Sequence, residues 1–245
     1  MKPLQHAQIS AKTYGGSWQD YIEVHNFLDS SKAACAHFKH RFLLHHIEGI
    51  ELAVKIFGEI LVNSENREIE TRRLLTDHLI EDVGRVVAVD TWARDLLPDA
   101  SGSFYKFLAK KREQIETDSV PGENELLSAF DMSGESRTAV KKFLAFPLES
   151  SVHPGALLIS HNSFVVFLAE NLFGCAFVKT NKNSSGENSN NRLVAVREVF
   201  ERVIFLRMKQ IYSPAEIIAR TESKDWMRGA NASDANAEKK RLANV

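Results

Sequence analysis

Cysteine is scarce: the 245 residues contain two, Cys35 and Cys175. Two thiols make neither a disulfide framework nor a zinc ribbon, so they read as buried thiols of a reducing compartment, and the chain is expected to be cytoplasmic. Long apolar runs are missing as well. The longest, Phe164–Ala169 (FVVFLA), has six residues, against the roughly 20 that span a bilayer. The opening MKPLQHAQIS holds no apolar stretch of secretory type, so no signal peptide and no membrane partner are expected. A surplus of charge is absent too: 31 basic against 32 acidic residues gives a net charge of -1. That removes a global electrostatic case for nucleic acid. Local basic pairs such as Lys39/Arg41 and Arg72/Arg73 remain, and such pairs usually face solvent. No phosphate-cradling glycine loop stands out, and no Ser–His–Asp or Cys–His nucleophile pattern.

What the chain has is helix signal. Hydrophobic residues make up 44% and charged residues 26%, the balance of a globular protein. The length suffices for two domains of about 100 residues, each with its own core. A first helix is predicted over 3–13, stopped at Gly15-Gly16, and a second carries DYIEVHNFLD, residues 20–29. A long helix is predicted over 31–57, bent at Gly49 and capped by Gly58. EILVNSENREIET (59–71) reads as a β-hairpin, RRLLTDHLIEDVG (72–84) as an amphipathic helix, and VDTWARDLL (89–97) as another. Residues 98–124 are expected to form a connector with one helix, and 228–245 a disordered tail.

The chain also resembles itself. Shifted by 116 residues, Phe27–Gly58 overlies Phe143–Gly174 with eight identities in 32 positions, among them His37 with His153 and His45 with His161. The hairpin follows in both halves, nine residues longer in the second, after which a shift of 125 sets 73–84 opposite VREVFERVIFL. Duplication of one helical unit accounts for this. The expected architecture is therefore mainly α: a His-rich domain over 1–97, and a degenerate copy over 125–227, each with a small β-hairpin.

Seven of the nine histidines precede residue 79. At about 100° per residue, the predicted long helix turns His37, His40, Arg41, Glu48, Glu51 and Lys55 outward. His46 falls in the middle of its apolar side, with His45 at the edge. His25 and Asp29 lie four apart among Tyr21, Ile22 and Leu28, and His78 and Asp82 four apart among Leu74, Leu75 and Leu79. Residues at i and i+4 stack on one helix face, so each pair converges on a point. Burying six such groups without partners would cost several kcal/mol. They must satisfy one another or hold something, and imidazoles with carboxylates suit zinc, manganese or iron.

The motifs KPLQHA, YGGSWQDY, HNFLDSSK, KHRFLLHHIEGI, FG, NSENR, DHLIEDVG and DTWA succeed one another within residues 1–97. In order and spacing they resemble a small bacterial and phage family of helical domains of unknown function. That family's pattern runs H-P-L-x-H-A, F-G-G-x-x-x-D-Y, H-x-W-F-D-x-S-K, R-H-R-x-L-R-H-H-x-E-G-I, F-G, N-S-D-G-R and Q-H-V-x-E-D-L-G. Phe27 replaces its Trp, Leu44 its Arg before the paired histidines, and Glu65-Asn66 its Asp-Gly. All six polar residues stand where the pattern has them, so the resemblance implies a fold and positions but no reaction. The second copy carries Lys141, Ala145, His161, Asn162, Val203 and Arg207 there.

Two functions are weighed. In the first, His25, Asp29, His45, His46, His78 and Asp82 bind a transition metal, and the protein is a metal-dependent hydrolase of a phosphate-containing or other small substrate. In the second, the His/Asp centre is architectural. The protein is then a non-catalytic interaction protein of phage or mobile-element origin, meeting a protein partner, or its own copy, through the second domain or the hairpin tip at 181–191.

Overall fold

The computed structural model describes residues 1–178 and 193–229. The expectations for the hairpin tip at 181–191, and for the tail from 230 onward, lie outside the described residues. The fold is mainly helical with two small antiparallel hairpins. No helix among the described residues is long and apolar enough to cross a membrane. Two compact units emerge, one of residues 1–96 with the returning segment from Thr221, the other of 97–220. The expected connector therefore lies within the second unit, and 221–229 group with the first.

In the first unit, α1 (Pro3–Tyr14) begins with proline at its first turn, where the missing N–H costs nothing. A short 3-10 turn leads to α2 (Ile22–Asp29) and the single turn α3 (Ser31–Ala34). A second 3-10 turn (Phe38–Leu43) precedes α4 (Ile47–Phe57). Strands β1 (Ile60–Val62) and β2 (Glu68–Glu70) pair antiparallel, Leu61 opposite Ile69. Then come α5 (Thr71–Val83), closed by Gly84 in the left-handed conformation, and α6 (Val89–Leu96). Tyr21, Leu28, Phe42, Leu74, Leu75, Leu79, Trp92 and Leu96 are fully buried between these helices.

The predicted long helix over 31–57 is corrected. Its backbone breaks twice, at Cys35–His37, where both end residues are extended, and at Leu44–His46, where His46 is extended (φ -153, ψ 167) as the N-cap of α4; a 3-10 turn lies between. Gly49 does not bend a helix; it sits in the first turn of α4, where a Cβ would stand 2.0 Å from the Leu44 carbonyl oxygen. These breaks reset the helical phase, so the predicted outward face fails in part. His40, Arg41 and Glu48 are buried, and His37 is half-buried. The thiols differ from expectation too: Cys35 is half-buried and Cys175 exposed.

The second unit runs α7 (Ser103–Glu116), α8 (Glu123–Ala129), α9 (Gly134–Glu149), α10 (Ala156–Ser160) and α11 (Ser163–Phe173). The hairpin β3 (Ala176–Val178) and β4 (Leu193–Ala195) follows, then α12 (Val196–Met208) and α13 (Pro214–Arg220). α11 and β3 begin and end 116 residues after α4 and β1, and β4 and α12 do so 125 residues after β2 and α5. Asn162, like His46, caps its helix through the side chain. Lys209 after α12 is left-handed, as Gly84 is after α5.

Candidate metal centre

Three helices of the first unit each turn an i, i+4 polar pair into the same space. These are His6 and Ser10 on α1, His25 and Asp29 on α2, and His78 and Asp82 on α5. Ser10 is 5% exposed, Asp29 4%, and the other four 0–1%, so the cluster is sealed from bulk water. His45 joins them from the extended link before α4. Its carbonyl accepts from the Trp92 indole N–H at 3.0 Å, which ties that link to α6.

The contacts interlock. His25 Nε2 is hydrogen-bonded to Ser10 Oγ at 2.9 Å, and His25 Nδ1 to His78 Nδ1 at 2.8 Å. On its other side, His78 Nε2 lies 3.3 Å from His45 Nε2. His45 Nε2 in turn stands 3.4 Å from Asp29 Oδ1 and 3.3 Å from Asp82 Oδ2. His78 Nε2 is 3.9 Å from Asp29 Oδ1. His6 reaches Asp82 Oδ1 at 3.2 Å with Nε2 and Glu81 at 2.6 Å with Nδ1. Its ring stacks on His78 with centroids 3.9 Å apart.

Two buried atoms here, Asp29 Oδ1 and His45 Nδ1, have no hydrogen-bond partner. A buried carboxylate oxygen left without a donor is costly, and in native proteins it calls for an explanation such as an ion. The spacing supplies one. Ligands about 2.0–2.1 Å from a tetrahedral ion stand about 3.3–3.4 Å from one another, and three of the contacts of His45 Nε2 have that length. His6, Asp29, His78 and Asp82 also each offer one ligand atom, all within 4.8 Å of one another. A group of this composition could hold a metal.

Cations already attend both carboxylates. Lys32 Nζ donates to Asp29 Oδ2 at 2.7 Å and Arg41 Nε to Asp82 Oδ2 at 3.2 Å, and the Met1 nitrogen touches Asp82 Oδ1. Burial works against ionising Asp82, yet hydrogen bonds from His45 and His6 prevail and hold it well below the usual carboxylate range. Asp29 is likewise lowered, against burial, by His45 and Lys32. Burial, then the neighbouring charge of His6, pushes His25 down to about 4. Burial with His6, His45 and His25 pushes His78 well below its ordinary value. His6 is the exception: burial opposes its charge, but Asp82 and Glu81 outweigh it and raise its pKa. His25 and His78, kept neutral by burial, and the ionised Asp29 and Asp82 are in the protonation states that ligate metal.

Of the six residues expected at the site, the structure gathers five: His25, Asp29, His45, His78 and Asp82. His46 is engaged elsewhere. Its Nδ1 accepts from the Gly49 N–H at 3.0 Å and approaches Glu48, and its Nε2 meets the Leu43 carbonyl at 3.2 Å. Sequence reasoning missed His6, although its spacing to Ser10 repeats that of the two His/Asp pairs. It also missed Arg41, which it placed in solvent. His40, buried through its bond to Ser31 and edge-on to His45, is pushed down to about 3 by burial and by the charge of His45.

In the second unit two of the positions aligned by sequence, His161 and Arg207, join a closed network with Glu123 and Ser160. Arg207 donates to both oxygens of Glu123, at 2.6 and 2.9 Å, and meets His161 Nε2 at 3.2 Å. His161 Nδ1 bonds Ser160 Oγ at 2.7 Å.

Residues 1–100 match the model of a family described as "Domain of unknown function (DUF6915)". This is a family without an assigned activity, and its match spans α1 to α6, which carry the whole cluster. No curated protein and no solved structure matches the chain.

Proposed function

We propose that the first unit is a metal-binding domain, its ion held by His45 Nε2, His78 Nε2, Asp29 Oδ1 and Asp82 Oδ2, with His6 as a fifth donor. The observation that carries this reading is Asp29 Oδ1, buried without a hydrogen bond and facing His45 Nε2 at 3.4 Å. His25 stands behind His78 and orients it, as outer-shell partners do for metal-bound imidazoles. His46 is left out of this set because its Nδ1 caps α4 and its Nε2 meets the Leu43 carbonyl. Two imidazoles and two carboxylates suit zinc; a fifth donor favours manganese or iron.

The reaction class we attach to the centre is hydrolysis of a phosphate-containing substrate. A bound ion supplies an activated water. Lys32, whose side chain is 33% exposed, and Arg41 are the cations placed to take anionic oxygens beside it. A substrate reaches the ion only when this rim moves, because every proposed ligand is buried.

The second unit we read as a degenerate copy of the first. Support comes from the matched bounds of its helices and hairpin, and from Arg207 where the first unit has Asp82. The Arg207–Glu123 pair then neutralises a buried centre that has no use for an ion.

An architectural reading of the first centre has one observation in its favour: Lys32 and Arg41 already pair with the two carboxylates. Elemental analysis of untagged protein, beside a His78→Ala variant, separates the readings. About one equivalent of transition metal, lost in the variant, is expected. A folded wild-type chain that takes up no zinc, manganese or iron would falsify the metal reading, and retention of metal with no turnover of a phosphoester panel would remove the hydrolase.

A further inference from the structure

Residues 221–229 return to the first unit from the far side of the second in sequence, and lie outside the family match. They hold on through dissimilar contacts. Lys39, itself 3% exposed, donates from Nζ to the Thr221 carbonyl at 2.9 Å and to the Glu222 carbonyl at 3.3 Å. The Glu222 N–H donates to the Leu96 carbonyl at 2.9 Å. The Trp226 ring lies 4.5 Å from that of Trp92, under the Arg85 guanidinium at 4.3 Å, and its indole N–H donates to Asp95 at 2.7 Å. Met227 is fully buried. Gly229, at φ +117, runs so close that a Cβ there would stand 3.1 Å from the Asp82 carbonyl oxygen.

Two of these contacts continue inward to the proposed ligands. The Met227 carbonyl accepts from Arg41 Nη1 at 3.3 Å, and Arg41 Nε donates to Asp82. Trp226 packs on Trp92, whose indole N–H holds the His45 carbonyl. The segment thus sets the place of Arg41 and of the link that carries His45, without itself supplying a ligand.

We propose that residues 221–229 are a strap that closes the metal centre, so that its release sets the rate at which an ion or a small anion enters or leaves. This rests on the metal reading of the cluster. The strap has the character of a low-stability element: nine residues, irregular but for one 3-10 turn at Asp225–Arg228, held by a few separate hydrogen bonds and two side chains, the half-buried Trp226 and the buried Met227. Its release frees Arg41 from the Met227 carbonyl and loosens Trp92 against His45, while leaving the helices that carry Asp29, His78 and Asp82 in place.

The test uses the full chain loaded with one equivalent of zinc, with EDTA in excess, comparing wild type, Trp226→Ala and Asp95→Asn. Zinc extraction should speed by about tenfold or more in Trp226→Ala with stoichiometry unchanged, and by less in Asp95→Asn, which removes only the indole bond. Equal rates in all three chains overturn the strap. If the wild type retains no zinc, the metal reading fails. Amide hydrogen exchange over residues 41–50 then decides the strap: faster exchange in Trp226→Ala supports closure, and unchanged exchange overturns it. Should Trp226→Ala not fold, Asp95→Asn decides through the same two readouts.

Discussion

His25 and His78 face each other through the same ring atom, Nδ1 to Nδ1 at 2.8 Å. One must donate and the other accept. If His78 ligates through Nε2, its proton sits on Nδ1 and points at His25, which then carries its own proton on Nε2 toward Ser10. A bound ion therefore settles the tautomers of two histidines at once. Replacing His25 by Phe should lower zinc affinity by about 10–100-fold with stoichiometry intact, whereas His78→Ala should abolish binding. Competition against a chromogenic chelator measures both. Equal loss in the two variants would make His25 a ligand.

Asp82 meets four partners: His6, His45, Arg41 and the Met1 nitrogen. Asp82→Asn strips the negative charge from under a buried guanidinium. It should destabilise the metal-free protein by about 3–5 kcal/mol, read as a lowered midpoint in urea. A change under about 1 kcal/mol would mean that solvent screens the site far better than its burial implies.

The pH dependence of the metal-free chain follows from imidazoles kept neutral by burial. His40 sits at about 3 when folded against 6.5 when exposed, and His161, buried beside Arg207, is pushed in the same direction. Between these values the unfolded chain binds more protons, so the stability these groups contribute is complete above pH 6.5 and drains away as the pH falls toward 3. His40 alone should remove about 3 kcal/mol between pH 7 and pH 4. Urea titrations of wild type and His40→Gln across that range should converge at low pH. Parallel curves would show that His40 is reached by solvent in the folded state.

Gly49→Ala probes the break that brings His45 to the centre. The new methyl would enter the space of the Leu44 carbonyl, 2.0 Å away, and the first turn of α4 cannot yield without moving His46. We expect a loss of about 3 kcal/mol or more together with weakened metal binding, because His45 and Leu44 share one backbone segment. Calorimetry with a zinc titration would show whether the two losses travel together.

Much of this was legible in the residues. The apolar periodicity and glycine stops placed α1, α2, α5 and the first hairpin, and i, i+4 spacing on two helices predicted the convergence of His25/Asp29 with His78/Asp82. The family match over residues 1–100 supports a domain of unknown function there. A helical wheel assumes unbroken phase, and the chain leaves helical geometry at 35–37 and again at 44–46, with a 3-10 turn between. Across those breaks it misassigned His40, Arg41 and Glu48, and it placed His46 at the centre when that side chain is occupied as a cap. His6 was missed because its helix pairs it with a serine, so no second ionisable group flagged the position. The role of 221–229 had no local signal at all, since its partners lie more than 120 residues earlier in the chain.

That last feature has a consequence for synthesis. A ribosome completes α1 to α6, then all of 97–220, before Thr221 exists. At about 5–20 residues per second, the first unit waits several seconds or longer with Trp92, Lys39 and Arg41 uncovered. If the first unit holds an ion as proposed, loading during that interval would need no unlatching, and the arrival of Trp226 would seal it in. The order of residues along the chain then acts as a timer, and a nascent chain truncated before residue 221 should be the form that exchanges its ion most freely.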